Sequence, residues 1–379
     1  MLGVIADDLT GAAEIGAVGW RHGLRAEITL GGAPDSDADL ICVDTDSRSC
    51  DPPEAGKRAA KAAGMLQDCG ADWIFKKTDS ILRGNVTQEI EAIVKRLGLF
   101  GALLVPANPS RERTIVNGQY FVRGQLIHQT EFARDPKHPR LSPNVLELLA
   151  SPLGLPISFG KPGELLPECG IVIGEVARAE DVFAWAQLRS QQWLMAGGAD
   201  FFGALLKPSA TAPQSHYTRG RELFVCGSAS EATRKFVAGQ AQHGVPVFSL
   251  PDKLADVGEF DAADVADLVS GVVAALEQES RVILHVGLPQ VSDPSLAELL
   301  ATHLVCVAKA VLGKADVGHV FAEGGATAVA LARCMGWHRL AVKAEVTPGV
   351  VTLSVIGGGS PLLTIKPGSY CWPEHLITR

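Results

Sequence analysis

The sequence predicts an α/β fold with two domains, each built on a largely parallel sheet flanked by helices, and a β-rich C-terminal end. Three observations carry this prediction. The 379 residues exceed the usual size of one core, and 47% of them are hydrophobic against 20% charged, so the chain can bury large cores. Short apolar runs alternate with helix-compatible segments. A polar stretch at residues 207–221 interrupts that alternation.

The first domain, assigned to residues 1–206, opens with a strand, an acidic turn and a helix. Residues 2–6 form a short apolar run, the turn is Asp7-Asp8-Leu9-Thr10-Gly11, and small residues continue over 12–23. The alternation continues with strands at 26–30, 40–45, 72–76 and 102–105 and helices at 53–69 and 86–97. The last helix has an apolar face. Such alternation predicts a parallel sheet with helices on both faces.

Regularity is lost between residues 106 and 167, where Pro, Arg and His accumulate. This composition predicts long loops and a small subdomain rather than more sheet. The polar segment 111–139 is either a binding lid or an arm used in oligomer contact. A strand at 171–176 and a helix at 181–190 then restore the alternation.

The second domain is assigned to residues 222–379, after a linker at 207–221. Its predicted strands are 223–226, 282–286 and 320–322, and its predicted helices are 231–243, 263–278, 295–312 and 326–335. Residues 340–366 are β-rich and punctuated by glycine. This domain therefore also follows an alternating α/β plan.

Charge, hydropathy and cysteine usage exclude several classes of protein. A net charge of -8 opposes nucleic-acid binding, and no apolar run is long enough to cross a membrane. The 8 cysteines form no C-x-x-C pair, so neither a zinc ribbon nor a disulfide framework is indicated. The start of the chain lacks the pattern of a signal peptide. We expect a cytoplasmic protein that acts on a small molecule, and a homo-oligomer is left open.

Polar residues cluster directly after three predicted strands of the first domain, where open α/β sheets bind ligands. They are Asp7 and Asp8; Asp44, Asp46, Ser47 and Arg48; and Lys76, Lys77, Thr78, Asp79, Ser80, Arg83, Gly84 and Asn85. A carboxylate here could accept a proton from a hydroxyl, and the fork of Arg48 could bind a substrate carboxylate at two points. The alternative is that these residues cap helices, form turns or lie on a solvated surface.

The second domain offers loops of the size of a phosphate group. Cys226-Gly227-Ser228-Ala229-Ser230 and Glu323-Gly324-Gly325-Ala326-Thr327-Ala328 each lie between a strand and a helix, where backbone N–H groups can bind an anion. Lys366-Pro367-Gly368-Ser369 is a further glycine turn. The alternative is that these loops are ordinary turns between a strand and a helix.

Neither G-x-x-x-x-G-K-[ST] nor G-x-G-x-x-G occurs, so a P-loop and a standard dinucleotide site are not supported. The 10 histidines show no tight metal-binding spacing, and metal ligands stay unassigned.

Taken together, these segments resemble the four-carbon acid sugar kinase family, formerly a domain of unknown function. Asp7-Asp8-Leu9-Thr10-Gly11 is similar to its A-D-D-[FL]-T-G signature, and residues 76–85 are similar to its K-x-D-S-T-L-R-G-N segment, with Ile81 in place of the usual Thr. Residues 106–118 and 130–139 match the middle of the family. The loops at 227–230, 324–328 and 366–368 resemble its nucleotide-binding elements.

The resemblance implies phosphorylation of the terminal hydroxyl of a four-carbon aldonic acid, such as threonate, erythronate or an oxo-tetronate, by ATP with Mg²⁺. The implied substrate contacts are Asp8, Arg48, Lys77, Thr78, Asp79, Ser80 and Arg83. The implied nucleotide contacts are Ser228, Gly324, Gly325, Ala326, Thr327 and Gly368. Phosphoryl transfer also needs a carboxylate near the attacking hydroxyl, and Asp8 and Asp79 are both catalytic candidates.

One departure from the family keeps a second function open. The family usually has an acidic residue in its Gly-Gly-acid-Thr-Ala loop, and this chain has Ala326 there. The neighbouring Glu323 is the acid that could replace it. If none does, the protein is a catalytically weakened homologue that binds sugar acids or regulates another process. A nicotinamide-dependent oxidoreductase is disfavoured because the glycine fingerprint is absent.

Overall fold

Strands and helices alternate through most of the chain, which confirms the predicted α/β class. The computed structural model describes residues 1–31, 34, 37–135, 138–149, 154–207, 220–228, 230–251, 262–287, 294–359, 361–368 and 370–377. The chain divides into two units, Met1–Pro213 and Gln214–Arg379. Residues 208–219 of the predicted linker lie outside the described residues, and the domain boundaries stay a prediction. Among the described helices, none is both long and apolar enough to span a membrane.

A parallel sheet with accompanying helices forms the first unit. Its strands in chain order are β1 (Leu2–Ala6), β2 (Ala26–Thr29), β3 (Leu40–Asp44), β4 (Trp73–Lys77), β5 (Gly101–Val105), β6 (Arg113–Val116), β7 (Gln119–Val122), β8 (Gln125–Leu126), β9 (Ile157–Gly160), β10 (Gly170–Gly174) and β11 (Trp193–Gly197). Its helices are α1 (Leu9–Arg21), α2 (Pro52–Asp68), α3 (Val86–Leu97), α4 (Val145–Leu148), α5 (Ala179–Ala186) and α6 (Ala199–Leu205). The main sheet has the order β2-β3-β1-β4-β11-β5-β10-β9, with parallel pairing throughout.

Local chemistry explains where the helices nearest the site begin and end. Helix α1 starts at Leu9, earlier than predicted, because Asp8 Oδ1 accepts a hydrogen bond of 2.7 Å from the N–H of Gly11 and caps the helix. Helix α3 buries Val86, Ile90, Ile93 and Val94, as its apolar pattern predicts. It ends at Gly98, whose φ of 67° is the left-handed conformation common at helix C-termini.

The segment predicted to lack sheet contains β6, β7 and β8, which form a separate antiparallel sheet, and β9, which pairs in parallel with β10 in the main sheet. The prediction was wrong here because two tight turns create hairpins. Asn117 and Gly118 have φ of 50° and 71°, and Arg123 and Gly124 have φ of 52° and 74°. Paired positive φ values suit two-residue hairpin turns, for which Asn-Gly is a strong sequence signal. We call residues 106–149 the arm.

Within the described part of the chain, the sheet of the second unit contains five parallel strands and an antiparallel β-hairpin that pairs with one of them. The strands are β12 (Glu222–Cys226), β13 (Val247–Ser249), β14 (Arg281–His285), β15 (His319–Glu323), β16 (Arg339–Thr347), β17 (Val350–Val355) and β18 (Leu362–Lys366). The helices are α7 (Glu231–Gln242), α8 (Ala262–Gln278), α9 (Pro294–Leu312), α10 (Gly325–Cys334) and α11 (Glu374–Ile377). The strand order is β13-β14-β12-β15-β18-β17-β16. Neighbouring strands among the first five of this order pair in parallel, and β17 pairs antiparallel with both β18 and β16. The predicted β-rich C-terminal end is confirmed.

Further elements outside the arm also differ from the prediction. Strands β11 and β13 were missed: β11 is fully buried and carries no alternating pattern, and β13, with 3 residues, is too short to show a periodic pattern. The helix predicted at 181–190 ends at Ala186, after which Leu188 and Arg189 form tighter turns through the carbonyls of Trp185 and Ala186. Both kinds of error concern element ends or short elements and leave the sheet plan intact.

Gly101, the first residue of β5, is required by the close approach of β10. A Cβ at position 101 would lie 2.1 Å from the carbonyl oxygen of Gly170 and 2.9 Å from its nitrogen. These backbone atoms cannot move aside without breaking the strand pair. We expect Gly101→Ala to lower the free energy of unfolding of the first unit by about 3 kcal/mol in chemical denaturation.

The matched control is Gly203→Ala in helix α6. A Cβ there would meet Val18 Cγ1 at 3.5 Å, an ordinary contact, and alanine favours helix by up to about 1 kcal/mol over glycine. This variant should be as stable as the parent or more stable. Equal denaturation curves for the two variants would contradict the argument for Gly101.

Candidate active site

One guanidinium group joins the loops that follow β1 and β3. Arg48 donates from Nε to Asp7 Oδ2 at 2.7 Å and from Nη2 to Asp7 Oδ1 at 2.9 Å, while its Nη1 donates to Asp8 Oδ2 at 2.6 Å. The two-point face of Arg48 is therefore occupied by Asp7. Arg48 does not present that face to a substrate carboxylate, in contrast to the expectation from the sequence.

Asp8 caps a helix, yet part of its side chain stays exposed to solvent. Its Oδ1 caps helix α1, and its Oδ2 also accepts a hydrogen bond of 2.6 Å from Thr10 Oγ1. The side chain of Asp8 is 20% exposed, whereas those of Asp7 and Asp79 are 3% and 7% exposed. Asp8 is therefore the most accessible of these three carboxylates.

Asp79 organises the turn that follows β4. Its Oδ1 accepts from Arg83 Nη2 at 2.8 Å and its Oδ2 from Arg83 Nε at 3.0 Å, and the backbone N–H groups of Ile81 and Arg83 also donate to Oδ2. The turn continues through Gly84, which has a φ of 83° and lies against Arg48: a Cβ there would be 3.2 Å from Arg48 Cγ. The turn and the Arg48 loop are thus packed tightly together.

The charges in this cluster hold one another in the ionised form. Burial raises the pKa of Asp79, but Arg83 and Arg48 outweigh burial and hold that pKa well below its usual range. Burial also raises the pKa of Asp7, and Arg48 again outweighs it, so the pKa of Asp7 is lowered. Burial lowers the pKa of Arg48, yet the carboxylates of Asp7, Asp8 and Asp79 raise it well above its ordinary value. Asp7, Asp79 and Arg48 are therefore charged at neutral pH.

The two lysines at the end of β4 each have a carboxylate partner. Lys76 Nζ lies 2.6 Å from Glu89 Oε2, and both side chains are almost fully buried. Lys77 Nζ lies 3.1 Å from Glu14 Oε2 and donates to the carbonyl of Thr78 at 2.8 Å. Lys77, predicted as a substrate contact, is only 3% exposed. Its charge therefore compensates that of Glu14. Burial raises the pKa of Glu14, but Lys77 and Arg111 outweigh burial, so that pKa is lowered.

Thr78 carries a polar atom without a partner. Its side chain is 1% exposed, and within the described ranges nothing forms a hydrogen bond with Oγ1. Buried hydroxyl groups are usually hydrogen-bonded. The Oγ1 of Thr78 therefore has hydrogen-bonding capacity left over, and its role as a substrate contact stays a prediction.

The arm supplies contacts to the turn after β4 that were not predicted residue by residue. Arg113 Nη1 donates to Ser80 Oγ, and Tyr120 Oη donates to the carbonyl of Ser80. Arg83 Nη1 donates to Asp135 Oδ2 at 2.9 Å, and Arg140 Nη1 donates to the carbonyl of Leu82 at 3.0 Å. The one sequence signal for these contacts is the density of arginine in the arm, which does not indicate which strand end it reaches.

In the second unit, three predicted loops lie at the ends of the neighbouring strands β12, β15 and β18. Gly324 donates from its N–H to the carbonyl of Lys366 at 2.9 Å. A Cβ on Gly368 would lie 3.4 Å from Ser228 Oγ and 3.9 Å from Gly324 Cα. Ser228, Gly324 and Gly368 are therefore brought together as predicted, while Ala229 and Ser369 lie outside the described residues.

Helix α10 begins at this point without a side-chain cap. Its N-cap is Gly324, with a φ of 94°, and its first turn contains Gly325, Ala326 and Thr327. Free N–H groups at a helix start favour an anion. Gly227, which is not among the implied nucleotide contacts, packs closely against Thr327. A Cβ at position 227 would lie 1.9 Å from Thr327 Oγ1. The loops form a cradle that a side chain would fill.

Glu323 does not provide a substitute for the acid missing at position 326. It is fully buried, and its Oε1 lies 3.2 Å from Lys366 Nζ and accepts from Thr233, while its Oε2 accepts from Trp372 Nε1 at 3.2 Å. Ala326, by contrast, is exposed. In the described part of the chain, no group of three or more His, Cys, Asp or Glu could hold a metal ion.

Two family models match the chain. A sugar-binding N-terminal domain matches residues 2–161, and a nucleotide-binding C-terminal domain matches residues 223–370. The first match contains the charged cluster, and the second contains the glycine loops.

Similar proteins span nearly the whole chain. A D-threonate kinase of Salmonella typhimurium is 27% identical, covering 91% of this chain and 89% of that protein. A D-erythronate kinase of Heliobacterium modesticaldum is 28% identical, covering 95% and 92%. A 3-oxo-tetronate kinase of Pseudomonas fluorescens is 26% identical, covering 98% and 94%.

A solved structure shares the fold. A Haemophilus influenzae protein from a domain family of unknown function has a TM-score of 0.72 and 20% identity, covering 97% of this chain and 96% of that one. The two family models and the full-length relatives agree with the motifs at the strand ends. The chain belongs to the four-carbon acid sugar kinase family.

Proposed function

We propose that this protein is an ATP-dependent kinase that phosphorylates the terminal hydroxyl of a four-carbon aldonic acid, such as threonate, erythronate or an oxo-tetronate. The observation that carries the proposal is the charged cluster of Asp7, Asp8, Arg48 and Asp79 at the strand ends of a unit matched by a sugar-binding model. Relatives that cover most of the chain are named as kinases of such acids. A cytoplasmic location and the oligomeric state stay predictions.

In the first unit, Asp8 is the group best suited to orient the attacking hydroxyl. It is the most exposed of the three carboxylates, and Arg48, Thr10 and Gly11 fix both of its oxygens. Phosphoryl transfer depends chiefly on positioning and charge stabilisation, so a fixed carboxylate is more useful here than a strong base. Asp79, fully engaged with Arg83, serves to hold the turn.

In the second unit, the glycine loops fit the phosphates of a nucleotide. Gly227, Gly324 and Gly368 leave room for backbone N–H groups to approach an anion, and α10 directs its uncapped start to the same place. Mg²⁺ in kinases is commonly bound by one or two carboxylates together with the phosphates of the nucleotide. Mg²⁺ carried by the nucleotide would neutralise charge on the transferred group.

The second candidate function is a catalytically weakened homologue that binds sugar acids. The observation in its favour is Ala326, together with the burial of Glu323, because no acidic side chain then replaces the usual one in this loop. The intact charged cluster in the first unit favours the kinase.

The deciding experiment is an assay of ADP release with ATP and Mg²⁺ over a panel of D- and L-threonate, erythronate and their oxo relatives. ³¹P NMR of the product would identify a phosphate ester on the terminal carbon. The kinase proposal expects turnover of at least one acid. Calorimetric binding of an acid without any turnover would favour the second candidate.

We expect Asp8→Asn to lower kcat by at least about 100-fold with the preferred acid, because the oriented carboxylate is lost. Asparagine still caps a helix, so the melting temperature should change little. The matched control is Asp39→Asn, which removes an exposed carboxylate paired with Arg25 and should retain parental kcat. A near-parental kcat for Asp8→Asn would remove Asp8 from the proposed role.

Ala326→Asp tests the departure in the nucleotide loop. Position 326 lies exposed in the first turn of α10, where a carboxylate is compatible with the helix dipole. We expect a severalfold higher affinity for Mg²⁺ in the presence of nucleotide, measured by titration of kcat against Mg²⁺. Ala326→Asn is the uncharged control and should not change that affinity. Identical Mg²⁺ curves for all three proteins would show that position 326 is not a metal position here.

A further inference from the structure

The cations that the sequence assigns to the substrate are already neutralised inside the protein. Arg48 is paired with Asp7 and Asp8, Lys77 with Glu14, and Arg83 with Asp79 and Asp135. A sugar acid also carries a carboxylate, and its recognition calls for positive charge that is not yet compensated.

Two arginines of the arm meet that requirement. Among the residues that the structure describes, neither Arg113 nor Arg140 has a carboxylate oxygen within 4.0 Å, whereas Arg48, Lys76, Lys77, Arg83 and Arg111 each do. Arg140 is 9% exposed. Its known partners are neutral: Nη1 donates to the carbonyl of Leu82 and Nε to the carbonyl of His138, both at 3.0 Å.

Burying a cation without a counter-ion is costly. Burial lowers the pKa of Arg140, and although the Asp79 and Asp135 carboxylates raise that pKa against the effect of Arg83, they offset burial only in part. A guanidinium group stays protonated even so. An anion arriving beside Arg140 would therefore relieve an existing electrostatic penalty.

Both arginines reach the same turn, residues 79–83, after β4. Arg113 bonds to the side chain of Ser80, and Arg140 bonds to the carbonyl of Leu82. Phe132 contacts both residues: the Arg113 guanidinium lies 5.4 Å from the centre of its ring, and its carbonyl accepts a hydrogen bond from the backbone N–H of Arg140 at 2.9 Å. The two unpaired cations are thus fixed beside the turn that carries Asp79.

We propose that Arg113 and Arg140 bind the carboxylate of the substrate and so make the site selective for acids over uncharged polyols. This inference rests on the proposed function, because it concerns the acid group of the same substrate. In this arrangement the internally paired cations hold the three carboxylates in place, while the arm recognises the negative end of the ligand.

The test compares the parent with Arg140→Gln, which removes the charge but keeps a donor for the carbonyl of Leu82. The probes are D-threonate and D-erythronate and the matching uncharged alditols, threitol and erythritol. Binding is measured by calorimetry without nucleotide, and KM and kcat are measured with ATP. We expect Kd and KM for the acid to rise at least about tenfold, with no change for the alditol or for ATP.

Arg123→Gln is the matched control. Arg123 belongs to the same arm, but it is exposed and already paired with Glu131 at 2.7 Å, so its loss should leave the affinity for the acid unchanged. Arg113→Gln should weaken acid binding in the same direction as Arg140→Gln. Because Arg113 is partly exposed, it provides the test if Arg140→Gln does not fold. Arg140→Lys keeps the charge without the fork and should lie between parent and Arg140→Gln.

Each outcome separates this inference from the proposed function. An Arg140→Gln protein that binds the acid as the parent does, or that loses acid and alditol affinity equally, overturns the carboxylate role even if the parent is an active kinase. A parent that binds the acid but never phosphorylates it defeats the kinase proposal, while loss of binding in Arg140→Gln still supports the inference. A folded parent that binds none of the acids overturns both.

Discussion

The pairing of Arg48 with Asp7 and Asp8 is the interaction on which the first site depends. Three carboxylates lie within one partly buried region, and Arg48 and Arg83 lower the pKa of Asp7 and Asp79 so that these two stay ionised. Removing Arg48 would leave buried carboxylates uncompensated, which typically costs about 3–5 kcal/mol, whereas a loss of charge at Asp8 leaves Arg48 paired with Asp7. The same contact fixes the loops after β1 and β3 to each other. The charges therefore act as the framework of the site as well as part of its chemistry.

Both units place their candidate site residues at the carboxyl ends of parallel strands, but the chemistry of those residues differs. The first unit presents charged side chains in ion pairs, which suits a small hydroxylated acid that must be oriented. The second presents glycine loops and an uncapped helix, which suits phosphate groups approached by backbone N–H groups. One of its buried ion pairs, Glu323 with Lys366, lies beneath the loops. That pair supports the cradle rather than contacting a ligand.

An internally neutralised cluster changes how the substrate must be recognised. The arginine and lysines nearest the strand ends hold carboxylates in place, so recognition of the acid moves to cations delivered from elsewhere in the fold. The arm does this with a small antiparallel sheet, whose two tight turns fix Arg113 against Ser80. Such a division separates the orientation of the reacting hydroxyl from the binding of the anionic end.

The sequence by itself determined the alternating α/β plan, the strand-end position of Asp8, Arg48 and Asp79, and the glycine loops, because these follow from local apolar patterns and turn residues. The tertiary structure alone decided which charges are paired. Arg48 and Asp7 are 41 residues apart, and they meet only because β1 and β3 are neighbours in the sheet. The burial of Glu323 likewise depends on Lys366 and Trp372, which a distant strand and the C-terminal segment bring to it. Pairing between distant residues depends on strand order, and no local pattern encodes that order.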